Sequence, residues 1–326
     1  MTARYGMTVP FAGPLHAQAD RYRDLVELGY TDDWTAEADG HDGLTPLALA
    51  SVWAPELRLG TAILPAFTRG PALLAQGAAA LASAAPGRFV LGLGTSSNVI
   101  VERWNGIDFG APYARVRDVV RFLGEAFTGE KVTATYETFD VRGFRLASPP
   151  VEAPPIVVAA LREGMLRLAG RESDGAVVNW LSVDDARTVT AIVRDAAAGA
   201  GRPGPEVVAR LFVCPSTDSE AVVAQAKRLV AAYVNVPVYR AFHEWLGRTE
   251  ALGEHWERWD AGDRAGSLEA MPDGVVDELL IHGTPDECRA HVQRYVDAGV
   301  TTPVLSVVPL AGVDPMAAAR DLAPGG

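Results

Sequence analysis

A strand that ends in small and hydroxylated side chains delivers a pocket, and residues Gly87–Asn98 have that character. Val90, Leu91 and Leu93 suit a core, Gly92 and Gly94 let a second backbone or a flat ligand come close, and Thr95, Ser96 and Ser97 offer hydroxyls. Residues 155–171 repeat the plan: an apolar strand, a short turn containing glycine, then a helix. The N-terminus of such a helix presents free N–H groups and positive potential to an anion, and Arg162 adds a charge-assisted contact.

Three other chemistries fail on spacing. Gly92-Leu-Gly94 starts like a dinucleotide fingerprint, but Ser97 stands where the third glycine belongs. Gly94-Thr-Ser96-Ser-Asn98 lacks the closing glycine of a nucleophile elbow. His243-Glu244 has no second histidine four residues on, and the cysteines have no metal-binding spacing, so no metal site is expected.

The elements that must carry these residues alternate. Apolar runs predict strands near 5–9, 30–36, 57–64, 88–93, 155–160, 174–179, 207–213 and 303–308. Amphipathic patterns predict helices near 15–28, 44–54, 70–85, 112–128, 163–171, 182–200, 217–234 and 284–298. Eight strands, almost every one followed by a helix, read as an α/β fold of the (β/α)8 TIM barrel type, a single domain over 1–326. Two segments break the repeat. Residues 129–150 alternate as an inserted hairpin after strand four, and residues 235–277, rich in Trp, Tyr and charge, read as a helical insertion after strand seven, a lid or dimer element.

A chain of 326 residues with 48% hydrophobic content can bury a large core, and its net charge of −12 disfavours nucleic acid and anionic membranes as partners. No apolar run approaches a membrane span and no leader pattern opens the chain, so a cytoplasmic location is expected. Cys214 and Cys288 read as buried fillers in a reducing compartment.

Five stretches together resemble the bacterial luciferase-like family of flavin and deazaflavin enzymes, particularly its actinobacterial F420-dependent oxidoreductases. They are Gly60–Pro71, Gly87–Ser96, Val158–Leu161 with Met165–Gly170, Asp174–Trp180, and His282–Asp286. The resemblance implies a cofactor, coenzyme F420 or alternatively FMN, a small-molecule substrate and a homodimer. It implies a non-prolyl cis peptide between Ala62 and Ile63 behind the deazaflavin ring. It places the cofactor's phosphate-bearing tail at Ala159, Ala160, Leu161, Arg162, Glu163, Gly164 and Met165, with Arg162-Glu163 where many relatives have Gly-Pro. Asn179 and Trp180 match positions that line the cofactor pocket.

The implied chemistry is hydride transfer with at most one proton donor, sought in Trp34–His41. Glu37 matches a family acid at the barrel mouth, where apolar walls would raise its pKa, and His41 could reach the site from the loop. Relatives that oxidise alcohols or sugar phosphates carry a histidine after that acid, and some place a glutamate where this chain has Ser97. Ala38 and Ser97 therefore point to reduction of an activated C=C or C=N bond. The alternatives are an FMN-dependent monooxygenase of the same fold and a non-catalytic barrel subunit.

Overall fold

Parallel pairing runs without interruption around the molecule, so the apolar runs become a closed surface rather than an open sheet. The computed structural model describes residues 4–324. Its strands are β1 (Gly6–Val9), β2 (Asp32–Thr35), β3 (Arg58–Thr61), the short β4 (Leu64–Pro65), β5 (Phe89–Gly94), β6 (Val132–Thr135), β7 (Asp140–Phe144), β8 (Ile156–Ala159), β9 (Gly175–Asn179), β10 (Glu206–Pro215), β11 (Ile281–Gly283) and β12 (Thr302–Val307). Pairing passes from β12 to β1, β2, β3, β5, β8 and β9. The circle closes where β9 meets β10, with Glu206 opposite Gly175 and Arg210 opposite Asn179, and β10 returns to β12. This is the eight-stranded TIM barrel.

Helices α1 (Ala19–Glu27), α2 (Thr45–Trp53), α3 (Pro71–Ala84), α4 (Pro112–Ala126), α5 (Glu163–Glu172), α6 (Val183–Gly199) and α7 (Ser219–Val234) follow successive barrel strands. Then come α8 (Pro237–Trp245), α9 (Thr249–Asp260), α10 (Arg264–Ala270), α11 (Asp273–Leu279), α12 (Pro285–Asp297) and α13 (Pro315–Asp321). Reciprocal capping boxes start α6 at Ser182–Asp185 and α12 at Thr284–Glu287, so the acidic first turns of the sequence satisfy backbone donors. β6 and β7 pair antiparallel as a hairpin between α4 and β8.

Alternation along β10 shows how the layers arise. Val207, Ala209, Leu211 and Val213 face the helices in the main core, while Val208 joins Trp34, Val90, Val157, Val177 and Val304 in a plug inside the barrel. Trp34 fits only because Gly60 faces it: a Cβ there would lie 2.3 Å from the indole. A third cluster gathers Trp180, Phe212, Trp256 and Met271 beneath α7, α9 and α11.

Below the plug, at the N-terminal ends of the strands, Arg58 crosses the barrel. It pairs with Asp32 and, at 2.5 and 3.0 Å, with both oxygens of Glu206. Thr302 donates to Glu206 at 2.5 Å, and Arg4 approaches Asp32 at 3.4 Å. Burial alone would raise the Glu206 carboxyl, but the hydrogen bonds and charge of Arg58 outweigh it and hold the group below the usual glutamate range.

Several short elements lie outside the sequence expectation, among them α13 and β11. β10 continues past β9 and pairs Val213–Pro215 with the three-residue β11. A run that short gives no periodic signal.

Candidate active site

Between β3 and β4 the chain gains one residue relative to β5. Gly60 lies opposite Val90, yet Leu64 lies opposite Leu93. Within this bulge the Ala62–Ile63 peptide is cis, at the expected bond. The bulge takes Gly92 out of the ladder on the β3 side while it stays in register with Val157 of β8, and Thr61 replaces the missing partner: its hydroxyl accepts from Gly92 N at 2.8 Å and donates to Gly92 O at 2.9 Å. Gly92 has to be glycine, because a Cβ would sit 1.8 Å from the Thr61 carbonyl oxygen. A Cβ on Gly94 would be 2.8 Å from Ala159 and 2.9 Å from Ile63. The close approach written in the sequence is therefore first that of the neighbouring strand. Ala62, Ile63 and Ala159 end up together as a half-buried apolar shelf on top of the Trp34 plug.

Thr95, Ser96 and Ser97 leave β5 half-buried beside this shelf. Ser96 adopts φ +61°, and Trp180, at the end of β9, adopts φ +52°. Left-handed non-glycine residues at two barrel strand ends mark where backbone conformation is over-determined by its surroundings. Ser97 Oγ accepts from Ile100 N at 3.4 Å at the start of the π-helical turn Val99–Trp104.

α5 begins one turn after Ala159. Arg162 is its N-cap, extended in backbone and exposed, and no side chain caps the first N–H groups. Leu161 and Met165 are half-buried against the main core, while Ala160 is only 1% exposed and packs inside it. Ala160 thus supports the turn and has no surface to offer a ligand. Glu163, the first residue of α5, is exposed. It pairs with Arg167 one turn on, at 2.7 Å. A Cβ on Gly164 meets nothing within 4 Å, so the protein's own packing does not require glycine there.

The loop after β2 corrects the expectation for Glu37. Instead of apolar walls, the carboxylate meets Arg69, which binds both its oxygens, one at 2.7 Å, and it also accepts from Gly43 N at 2.7 Å. Three donors on two oxygens make Glu37 the anchor of the 36–44 loop, its carboxylate engaged by Arg69 and the Gly43 N–H rather than turned to the shelf. His41 is exposed on that loop and makes no hydrogen bond among the described residues.

Trp180 needs the same correction. It is 1% exposed, stacks on Phe212 at 3.9 Å and lies 4.5 Å from Tyr233, so its indole packs the rim and has no free face for a cofactor. Its neighbour Asn179 stays half-buried and shares hydrogen bonds of 3.1 and 3.2 Å with the Tyr239 hydroxyl. Opposite Asn179 on β10 stands Arg210, whose guanidinium lies over Phe212 at 5.0 Å and reaches Ser306 Oγ at 3.1 Å and Thr8 Oγ1 at 3.4 Å. Sequence reasoning did not single out Arg210. Its signal was there all the same: a lone cation at an inward position of the apolar run 207–213.

The sequence profile of the luciferase-like monooxygenases matches residues 2–302. The chain belongs to that family. It is 28% identical over 287 residues to the 5,10-methylenetetrahydromethanopterin reductase of Methanolobus tindarius, covering 86% of this chain and 87% of the relative. It is also 28% identical over 274 residues to the F420-dependent glucose-6-phosphate dehydrogenase of Kineococcus radiotolerans, covering 80% and 76% of the two chains. Among solved structures, the coenzyme F420-dependent tetrahydromethanopterin reductase of Methanopyrus kandleri superposes with a TM-score of 0.82 at 20% identity, over 98% of this chain and 97% of that one. The eight-stranded luciferase-like barrel is thus reached from sequence profile and coordinates alike. No described helix is long and apolar enough to cross a membrane.

Proposed function

We propose that this luciferase-like protein is an F420-dependent oxidoreductase acting on a small organic substrate. The observation that carries the reading is the pairing of an apolar shelf, Ala62, Ile63 and Ala159, with an uncapped helix N-terminus one turn away. A flat apolar ring needs the first and an anionic tail needs the second. The residues present fit both parts: α5 leaves its first N–H groups unclaimed by side chains, Arg162 stands exposed beside them, and the space over Gly164 is open. Two relatives bearing F420 in their names, one of them the glucose-6-phosphate dehydrogenase, point the same way.

When bound, a 5-deazaflavin supplies two-electron hydride transfer. The chain's part is to hold the ring against the Ala62–Ile63 bulge, to hold the tail at Arg162–Met165, and to keep water from the shelf with the buried rim of Trp180 and Phe212. Thr95, Ser96 and Ser97 border the ring side. With Glu37 committed to Arg69, that carboxylate is not free to take a proton from an alcohol, Ala38 stands where relatives that oxidise alcohols or sugar phosphates carry a histidine, and Ser97 where some sugar-phosphate-oxidising relatives carry a glutamate. Reduction of an activated C=C or C=N bond asks less of the protein and is the reaction we assign.

Equilibrium titration of the protein with F420 and with FMN, followed by fluorescence, tests the cofactor. F420 should bind the tighter, and Arg162→Ala should weaken it about tenfold, roughly 1.4 kcal/mol. Preference for FMN would replace this reading with that of a monooxygenase, and retention of neither would replace it with that of a non-catalytic barrel.

A further inference from the structure

Arg210 is a cation without a counter-ion in a chain that carries 41 acidic against 29 basic residues. No carboxylate among the described residues comes within ion-pair distance of it. Its surroundings are the Thr8 and Ser306 hydroxyls, the face of Phe212, and the phenols of Tyr233 and Tyr239. Burial pulls its pKa down, and only the two tyrosines push it back. Tyr239 is itself held neutral, its phenol pushed up to about 12 by burial first and foremost, and its hydroxyl rests on Asn179. An interior guanidinium with neutral partners carries a desolvation cost that a neighbouring carboxylate would offset. This protein demonstrates that remedy itself at Arg58, where two carboxylates answer one arginine.

Arg210 is half-buried on the inward face of β10, above the Trp34 plug, so the mouth reaches it. Its guanidinium, held only by neutral hydroxyls, the second amide hydrogen of Asn179 across the β9–β10 ladder and the Tyr239 hydroxyl, once turned from Asn179 Oδ1, make a donor set suited to a planar or tetrahedral oxyanion. We infer that Arg210, with Asn179 and Tyr239, is a receptor for a carboxylate or phosphate group of the substrate, so that the substrate class is anionic. Assigning the anion to the substrate rests on the oxidoreductase reading, since the cofactor's own tail has a separate seat at α5, on β8's side of the barrel.

Thermal unfolding and calorimetric titration with two probes, benzoate and inorganic phosphate, test the receptor with F420 absent and with F420 bound. The wild type should be stabilised by at least one probe, and the response should persist when F420 fills the tail seat. Arg210→Met should weaken that probe at least tenfold, leave the F420 dissociation constant within about twofold, and raise the melting temperature of the ligand-free protein. The probe that responds separates a carboxylate from a phosphate substrate. Arg210→Lys keeps the charge without the fork. It should fold as the wild type does and bind the probe at intermediate strength.

An unchanged probe response in both variants overturns the receptor, as does a wild type indifferent to both probes. A tenfold loss of F420 affinity in Arg210→Met overturns it too, by giving the arginine to the cofactor. If the wild type binds no F420 while the probe response still depends on Arg210, the cofactor reading fails and the anion receptor stands.

Discussion

The two arginines inside the barrel occupy opposite ends and opposite chemical situations. At the floor, Arg58 is answered by Asp32 and Glu206, with Thr302 completing the set. At the mouth, among the described residues, Arg210 meets hydroxyls and aromatic rings and no carboxylate. Both stand on inward-facing positions of barrel strands, β3 and β10, and both are half-buried, so neither burial nor secondary structure explains the contrast. A closed end can satisfy every donor with the protein's own acceptors, because nothing else will ever arrive there. An end that receives a ligand has to keep donors unspent, and it carries the desolvation cost in the ligand's absence. The floor is thus read as stability and the mouth as function, in keeping with the division of labour of barrel enzymes.

The contrast can be broken most sharply at the floor. Arg58→Met leaves Glu206 without its bidentate partner and Asp32 with only the half-exposed Arg4 at 3.4 Å, and we expect a loss of about 3–5 kcal/mol in denaturant unfolding, against a gain for the same substitution at Arg210. Equal losses at both positions would erase the distinction. Because the folded-state pKa of Glu206 lies below its unfolded value, its contribution is complete above the unfolded value and fades as pH falls through the folded one. The stability difference between the wild type and Arg58→Met should therefore shrink toward acid.

Two glycines at the mouth give the next test. Gly92→Ala drives a Cβ into the Thr61 carbonyl, and the repair should cost about 1–3 kcal/mol or more. Gly164→Ala enters open space at the start of α5 and should leave stability within about 0.5 kcal/mol while weakening F420. If Gly164→Ala binds F420 as the wild type does, the tail does not lie over that glycine.

A gain rather than a loss sharpens the comparison on a single strand. Asp33 adjoins Asp32 on β2 but faces the helix layer, fully buried, and neither carboxyl oxygen finds a partner. Burial, reinforced by the charge of Asp32, raises its pKa well above the ordinary value. An acid whose pKa is raised by folding costs stability as pH climbs from the ordinary carboxylate range. Asp33→Asn should gain about 1–2 kcal/mol near neutrality and nothing in acid. A gain that is independent of pH would show that the carboxyl's shape, and not its charge, is at fault.

How much of this was legible beforehand divides along physical lines. Five of the eight barrel strands, β5, β8, β9, β10 and β12, were written in Val, Ile and Leu runs because parallel strands are buried on both faces, and the capped starts of α6 and α12 were written in Ser182–Asp185 and Thr284–Glu287. β11 was not legible, being three residues long and ordered only by pairing with β10. At the site, Gly92 and Gly94 announced a close approach, and the structure names the approaching party as Thr61 and Ile63. The environment of Glu37 was hidden because its partner Arg69 lies 32 residues away and reaches it only through the fold. Trp180 was read as a pocket wall because its position matches one that lines the pocket in relatives, but here it packs on Phe212 and Tyr233 in the rim, with a left-handed backbone. Arg210 depended on Tyr233 and Tyr239, which no local pattern ties to β10.

Thr61 carries a consequence for the history and redesign of this barrel. Its hydroxyl serves as an honorary peptide group, giving and taking the two bonds that the bulge denies Gly92. Valine has the same outline and would fill the same volume, yet it would strand both groups, so the aliphatic exchanges freely available elsewhere in the strand are closed here and serine is the one conservative exit. Mutational drift can therefore reshape the shelf side chain by side chain, but the seam beneath it is tied to one oxygen atom.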